Sequence, residues 1–118
     1  RTGALAPLSS GALGYQFRRA GLPAIATVAG RLGIRARHLL FGHLHRTGPL
    51  RGDEPEEWRA GERGPRLLNT GSWVYEPLLL TGVRPPHPYW PGGAVLIEDG
   101  AVPRAITLLD DVAPAALA

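Results

Sequence analysis

The feature that most constrains the fold of this chain is a short apolar run, His38 to Phe41, that ends in Gly42-His43-Leu44-His45. Such a run is typical of a buried strand in an α/β protein, and a glycine after a strand lets the backbone turn sharply. Side chains two residues apart on an extended segment point to the same side. We therefore expect His43 and His45 to lie side by side, where they can offer imidazoles to one metal ion or to two adjacent ions.

A second apolar run further along the chain also ends in a polar turn, reading Leu67-Leu68-Asn69-Thr70-Gly71-Ser72-Trp73. The two motifs, in this order, resemble the C-terminal end of the calcineurin-like metallophosphoesterases. That family closes with Gly-His-x-His after a core strand and with Asn-x-Gly-Ser after the following strand. The resemblance covers residues 22–109, which correspond to the last part of the family's domain.

The resemblance implies a two-sheet α/β sandwich that hydrolyses phosphate mono- or diesters with two divalent metal ions, Mn, Zn or Fe. By this resemblance His43 would bind one ion and His45 the other, and such ions polarise the phosphate and activate a hydroxide. Arg46 is a possible phosphate contact through its planar guanidinium, with a solvated loop arginine as the alternative. Gly42, Asn69 and Gly71 support the motif, and we expect Asn69 and Gly71 to shape the turn more than to touch substrate.

Several motifs of the same family are missing from this sequence. It contains no Asp-x-His and no Gly-Asn-His, and its single asparagine is Asn69. Gly52-Asp53-Glu54-Pro55-Glu56 resembles the family's Gly-Asp element only superficially, because it lies downstream of the histidines. We therefore expect a C-terminal part of a longer phosphoesterase, which supplies two metal ligands and is inactive by itself.

The composition excludes several other classes of function. There is no cysteine, which rules out disulfides and thiolate ligands. The net charge of +3 comes from scattered arginines that do not alternate with stacking aromatics, so the sequence carries no strong signal for nucleic-acid binding, which is a minor option. No apolar run approaches the ~18 residues of a membrane-spanning helix. We expect a cytoplasmic protein, although a longer N-terminus could carry an address.

The order of predicted elements is one helix, then mixed strands, then a terminal hairpin. We expect the helix from Pro23 to Leu32, with Pro23 at its first position and an apolar stripe of Ile25, Val28, Ala29 and Leu32. The predicted strands are Arg37–Phe41, Arg66–Asn69, Trp73–Leu80, Gly93–Glu98 and Val102–Leu109, the last two joined by Asp99-Gly100. Residues 1–20 are predicted to be flexible or incomplete, residues 21–110 to form the phosphoesterase part, and residues 111–118 to fray.

Ordinary roles are expected for the remaining candidates. The segment from Arg46 to Pro65, rich in glycine, proline and charge, should project beside the histidines as a loop instead of pairing into the sheet. We interpret His38 as a buried or edge histidine, His87 as a surface loop residue, and the acidic residues near Asp53 as a solvated face.

The alternative to the phosphoesterase is a protein of another functional class, a small non-catalytic α/β interaction domain with structural histidines. The coding sequence upstream of Arg1 distinguishes the two.

Overall fold

In the computed structural model, which describes residues 10–117, one long helix precedes two small sheets. The elements run in the order α1 (Ser10–Arg31), β1 (His38–Phe41), β2 (Thr47–Gly48), β3 (Arg66–Thr70), α2 (Pro77–Leu80), β4 (Gly93–Leu96), β5 (Arg104–Thr107) and a 3₁₀ turn (Pro114–Ala116). This is the α/β class that the sequence predicted. Within this described part, no helix has both the length and the apolarity needed to cross a membrane.

Helix α1 begins well before the predicted start, so the prediction that Pro23 opens the helix is wrong. Pro23 lies inside α1, where the Thr27 hydroxyl donates to its carbonyl at 2.9 Å. The predicted end is confirmed, because α1 stops at Arg31 and Gly33 adopts φ +61°, the left-handed conformation that commonly ends helices. Residues 1–9 of the segment predicted to be flexible lie outside the described residues, and its remainder is helical from Ser10 onward.

The buried face of α1 is rotated from the predicted stripe. Leu22 and Ala29 are each 2 % exposed, whereas Val28 is 50 % and Leu32 70 % exposed. The face that packs against the protein is Leu22, Ile25, Ala26 and Ala29. It has the same i, i+3, i+4, i+7 spacing, but it includes Leu22, which precedes Pro23.

Strand β3 is the centre of the first sheet, with β1 parallel on one side and β2 antiparallel on the other. The register pairs Phe41 with Asn69, and Gly48 pairs with Asn69 from the opposite side. The strands predicted at Arg37–Phe41 and Arg66–Asn69 are thus confirmed. The loop from Arg46 to Pro65 was predicted to stay out of the sheet, and this is wrong for its first residues, which form β2.

The prediction of a strand over Trp73–Leu80 is wrong. Trp73 and Val74 are exposed, and the chain then forms the single helical turn α2, whose N-terminus is capped by the Glu76 carboxylate accepting from the Leu78 N–H at 3.4 Å. Pro77 suits a first helical position and lacks the N–H that a strand ladder needs. Leu79 and Leu80 are buried in one of the two apolar clusters, together with Tyr89 and Trp90.

The second sheet is the predicted hairpin of β4 and β5, with Gly100 at φ +75° in its turn. Both strands lie against the first sheet. The C-terminal segment that was predicted to fray continues from the hairpin into a 3₁₀ turn, and Leu117 packs against the cluster of Leu80 and Trp90. Trp90 also donates its indole N–H to the Leu109 carbonyl at 2.9 Å, which holds this segment in place.

A close contact with α1 fixes the loop that follows β1. The side chain of Leu44 packs into the second apolar cluster, formed by Leu22, Trp58 and Leu67. It lies so close to α1 that a Cβ built on Gly21 would overlap its methyl groups, one of them at 2.8 Å. The absence of a side chain at Gly21 is therefore what gives Leu44 its space.

Two glycines of α1 provide a matched test of this contact. A Cβ on Gly30 meets nothing within 4 Å, so Gly30→Ala should raise the free energy of unfolding by about 0.5–1 kcal/mol, the usual helix preference for alanine. Gly21→Ala gains the same preference but overpacks Leu44, which typically costs about 1–3 kcal/mol, so we expect net destabilisation. Urea titrations of both variants, with NMR of the histidine rings, check this. Equal effects of the two substitutions would contradict the contact.

Candidate functional site

The predicted ligands His43 and His45 lie directly beyond the carboxyl end of β1, and both are exposed. The sequence analysis assumed an extended segment that directs both side chains to the same side. This is wrong, because neither histidine is in an extended conformation. His43 has φ +82° and His45 has φ +54°. Non-glycine residues rarely adopt positive φ, and such strained conformations persist only where the surroundings hold them, often at functional sites.

Both histidines nevertheless line one concavity of about 380 Å³. Between them, Leu44 turns inward against α1, so that the two neighbouring imidazoles remain at the surface. The rest of the concavity is formed by Glu76, Leu78, Leu79 and Tyr89. The volume lies within the range of small-molecule sites, about 300–1,000 Å³. The concavity combines two imidazoles, one carboxylate and an apolar wall.

The Asn69–Gly71 turn lies beside the same end of β1. Asn69 is fully buried, and neither atom of its amide has a hydrogen-bond partner among the described residues. We expected its side chain to shape the turn, and no capping bond of this kind is seen in residues 10–117. Gly71 has φ +75°, and a Cβ there would overlap the hydroxyl of Thr47. The turn is therefore specified by a glycine and closed by Thr47, with Asn69 in its interior.

Arg46, the predicted phosphate contact, is directed into the protein. It is 6 % exposed, and its guanidinium donates to the two carboxylate oxygens of Asp53 at 2.5 and 3.1 Å. It also lies 5.1 Å from the ring centre of Trp58, a cation–π distance. Neither the phosphate contact nor the solvated alternative describes this position. The prediction that Asp53 belongs to a solvated acidic face is also wrong, because its side chain is 9 % exposed and paired with Arg46.

His87 was missed by the sequence interpretation. It is half-buried, its Nδ1 accepts from the Tyr89 N–H at 3.3 Å, and its ring lies 5.9 Å from that of Tyr89. Burial, followed by the positive charge of Arg46, lowers the pKa of His87 below its ordinary value of 6.5. The sequence Pro85-Pro86-His87-Pro88 carries no signal for this, since it only indicates a loop.

His38, by contrast, is far from the two predicted ligands along β1. It is partly buried at the first residue of that strand and lines a larger cavity of about 800 Å³ with Trp58 and Arg66. This cavity contains none of the predicted site residues. Size alone would therefore select a different region from the one that the histidine motif selects, and the chemistry of the side chains favours the smaller concavity.

The donor set fits part of a metal centre. His43 and His45 are exposed imidazoles that line one concavity, and imidazoles bind Zn, Mn or Fe. In residues 10–117, however, no group of three or more His, Cys, Asp or Glu residues is placed to hold a metal ion. The histidines fit as two of the ligands that a metal site needs, and the described chain does not complete the set.

Comparison with protein-family models gives no match for this sequence. Comparison with curated proteins and with solved structures likewise gives no significant match.

The buried ion pair next to the site has a matched exposed counterpart. In Asp53→Ala the guanidinium of Arg46 would remain buried without its partner, so the free energy of unfolding should fall by about 3–5 kcal/mol. The pair of Glu98 with Arg104 is exposed and 3.7 Å long, so Glu98→Ala should cost less than about 1 kcal/mol. Chemical denaturation of both variants measures the difference. Similar small losses would show that the buried pair contributes little.

The lowered pKa of His87 predicts a pH-dependent stability. Between that lowered pKa and 6.5, the unfolded chain binds more protons at this residue than the folded chain, so stability should decrease as pH falls through the interval. His87→Asn removes the titrating group and retains an oxygen that can accept from the Tyr89 N–H. The free energy of unfolding should depend less on pH in this variant between pH ~7.5 and ~5.5. Identical pH profiles would refute the role of His87.

Proposed function

We propose that this chain is the C-terminal part of a calcineurin-like metallophosphoesterase that hydrolyses phosphate mono- or diesters at a dinuclear metal centre. The observation that carries the proposal is the pair of exposed imidazoles, His43 and His45, on one concavity beyond the end of β1. Ligands of open α/β sheets usually bind outside the carboxyl ends of the strands, so the position agrees with the motif.

The pairing of β1 with β3 supports the proposal further. The strands are parallel and their last paired residues include Phe41 and Asn69. Gly42-His43 and Asn69-Thr70-Gly71 therefore leave the sheet at the same end, although they are far apart in sequence. A Cβ on Gly42 would lie 3.7 Å from the Thr70 hydroxyl, an ordinary contact distance. The two motifs on which the family resemblance depends are thus neighbours in space.

Each residue then has a distinct part in the proposed chemistry. When bound, two divalent ions supply polarisation of the phosphate and a hydroxide nucleophile at neutral pH. His43 would hold one ion and His45 the other through neutral imidazoles. Arg46 supplies no phosphate contact in this proposal, because its guanidinium is engaged by Asp53. The remaining ligands would come from outside the described residues.

The same geometry weighs against the alternative of a non-catalytic domain with structural histidines. A structural histidine contributes through burial and hydrogen bonds within the fold. His43 and His45 are both exposed, whereas Leu44 between them is the residue that packs into the interior. Replacing the imidazoles should therefore leave the fold intact, which makes substitution a clean test of function.

The proposed function predicts a difference between the short chain and a longer protein that contains it. The 118-residue chain should bind Mn²⁺ or Zn²⁺ weakly through His43 and His45, because an incomplete ligand set leaves an ion mostly hydrated. It should hydrolyse bis(4-nitrophenyl) phosphate no faster than its His43→Ala, His45→Ala variant. In the longer protein the same substitutions should abolish most turnover and leave the thermal midpoint nearly unchanged.

Each arm of this assay has an outcome that contradicts the proposal. Strong histidine-dependent turnover by the short chain would refute its assignment as a part of the enzyme. Undiminished turnover by the doubly substituted longer protein would refute the ligand assignment. His38→Ala serves as the control in both, because His38 lies at the opposite end of β1. Reading the upstream coding sequence for Asp-x-His and Gly-Asn-His tests the family directly.

A further inference from the structure

The concavity that His43 and His45 line also has an apolar wall. Leu78 and Leu79 of α2 and Tyr89 form this wall, and Leu44 is a further apolar residue that lines the concavity. Leu79 and Tyr89 are buried at 6 % and 5 % exposure, so they are held in place, whereas Leu78 is 79 % exposed. An exposed leucine beside a preformed apolar wall leaves surface that a ligand can cover.

The charges around this wall are unfavourable for anions. The only carboxylate that lines the concavity is that of Glu76, and no arginine is among its described lining residues. The nearest arginine along the chain, Arg46, is buried and bound to Asp53, and the sequence contains no lysine. A further phosphate or carboxylate on the substituent would meet the Glu76 carboxylate beside this wall, and no arginine side chain among the described lining residues would pair with it.

We infer that the phosphate ester bound at this site carries an uncharged aromatic or aliphatic substituent, which occupies the wall formed by Leu78, Leu79 and Tyr89. Glu76 acts as a specificity residue that rejects substituents with further negative charge. The inference rests on the proposed function for the position of the phosphate at His43 and His45. The class of substituent rests separately on the apolar wall and on Glu76.

The preference can be measured as binding to the 118-residue chain, without turnover. Diphenyl phosphate, dimethyl phosphate and phenyl 4-carboxyphenyl phosphate are titrated at a fixed, large excess of Zn²⁺, because the two histidines alone hold an ion weakly. The methyl signals of Leu78 and Leu79 are followed by NMR. We expect diphenyl phosphate to bind at least about tenfold more tightly than dimethyl phosphate, since each methylene in an apolar pocket contributes roughly tenfold or more. The carboxyphenyl ester should bind more weakly than diphenyl phosphate.

Two variants assign the preference to its residues. Leu78→Ala removes exposed surface without disturbing the buried cluster and should reduce the advantage of diphenyl phosphate severalfold. Glu76→Gln keeps a side-chain oxygen that can accept from the Leu78 N–H and should bring the carboxyphenyl ester close to diphenyl phosphate. Equal binding of the phenyl and methyl esters, absence of diphenyl phosphate binding, or no effect of Glu76→Gln would each overturn the inference.

The His43→Ala, His45→Ala variant separates this inference from the proposed function. If zinc-dependent binding needs the histidines but shows no preference for phenyl groups, the proposed function stands and the inference fails. If diphenyl phosphate binds through Leu78 with the same affinity when both histidines and zinc are removed, the apolar wall is real and the proposed metal function fails. Loss of zinc-dependent binding together with a retained preference for the phenyl ester supports both.

Discussion

The buried guanidinium of Arg46 is the constraint on which the histidine loop and the following segment both depend. A charge at 6 % exposure must be compensated inside the protein, and Asp53 provides both carboxylate oxygens for this. Asp53 also accepts from the Leu50 N–H at 2.8 Å. The chain after β2 must therefore fold back within seven residues of Arg46, so the segment rich in glycine and proline cannot simply project into solvent.

The same ion pair organises the apolar cluster beneath the sheet. Trp58 lies against the guanidinium and so close to β2 that a Cβ on Gly48 would overlap its ring. Trp58 in turn packs with Leu22 and Leu67, and Leu44 joins that cluster from the histidine loop. The position of the loop relative to α1 is thus set by packing around Trp58, which the ion pair holds in place.

The secondary-structure elements that the sequence predicts correctly are those specified by residues close to one another in the chain. The sequence predicts β1, β3 and the hairpin because each has an apolar run that ends in a turn. The turn of the hairpin is specified by Asp99-Gly100, which depends on nearby residues alone. The start of α1 could not be placed, because Pro23, a residue type that favours a first helical position, lies inside the helix. Similarly, a triple leucine after Pro77 is compatible with strand or helix, and burial of Leu79 and Leu80 decides for the helix.

The site shows the same division between local and long-range information. The sequence motif predicts His43 and His45 as ligands because their type and spacing are themselves the signal. It could not reveal that Arg46 is buried and paired with Asp53, or that burial and then the charge of Arg46 lower the pKa of His87. Long-range electrostatics are set by the folded arrangement, and a single sequence does not contain their distances.

The four residues from His43 to Arg46 alternate between exposed side chains and side chains that pack into the protein. Leu44 and Arg46 point inward and are fixed by the cluster of Trp58 and by Asp53. The two histidines between them stay exposed, at positive φ values that L-residues adopt only at a cost of about 1–2 kcal/mol each. Burial of Leu44 and the ion pair of Arg46 offset that cost. The imidazoles contribute little to holding the loop together, so they are free to serve a ligand.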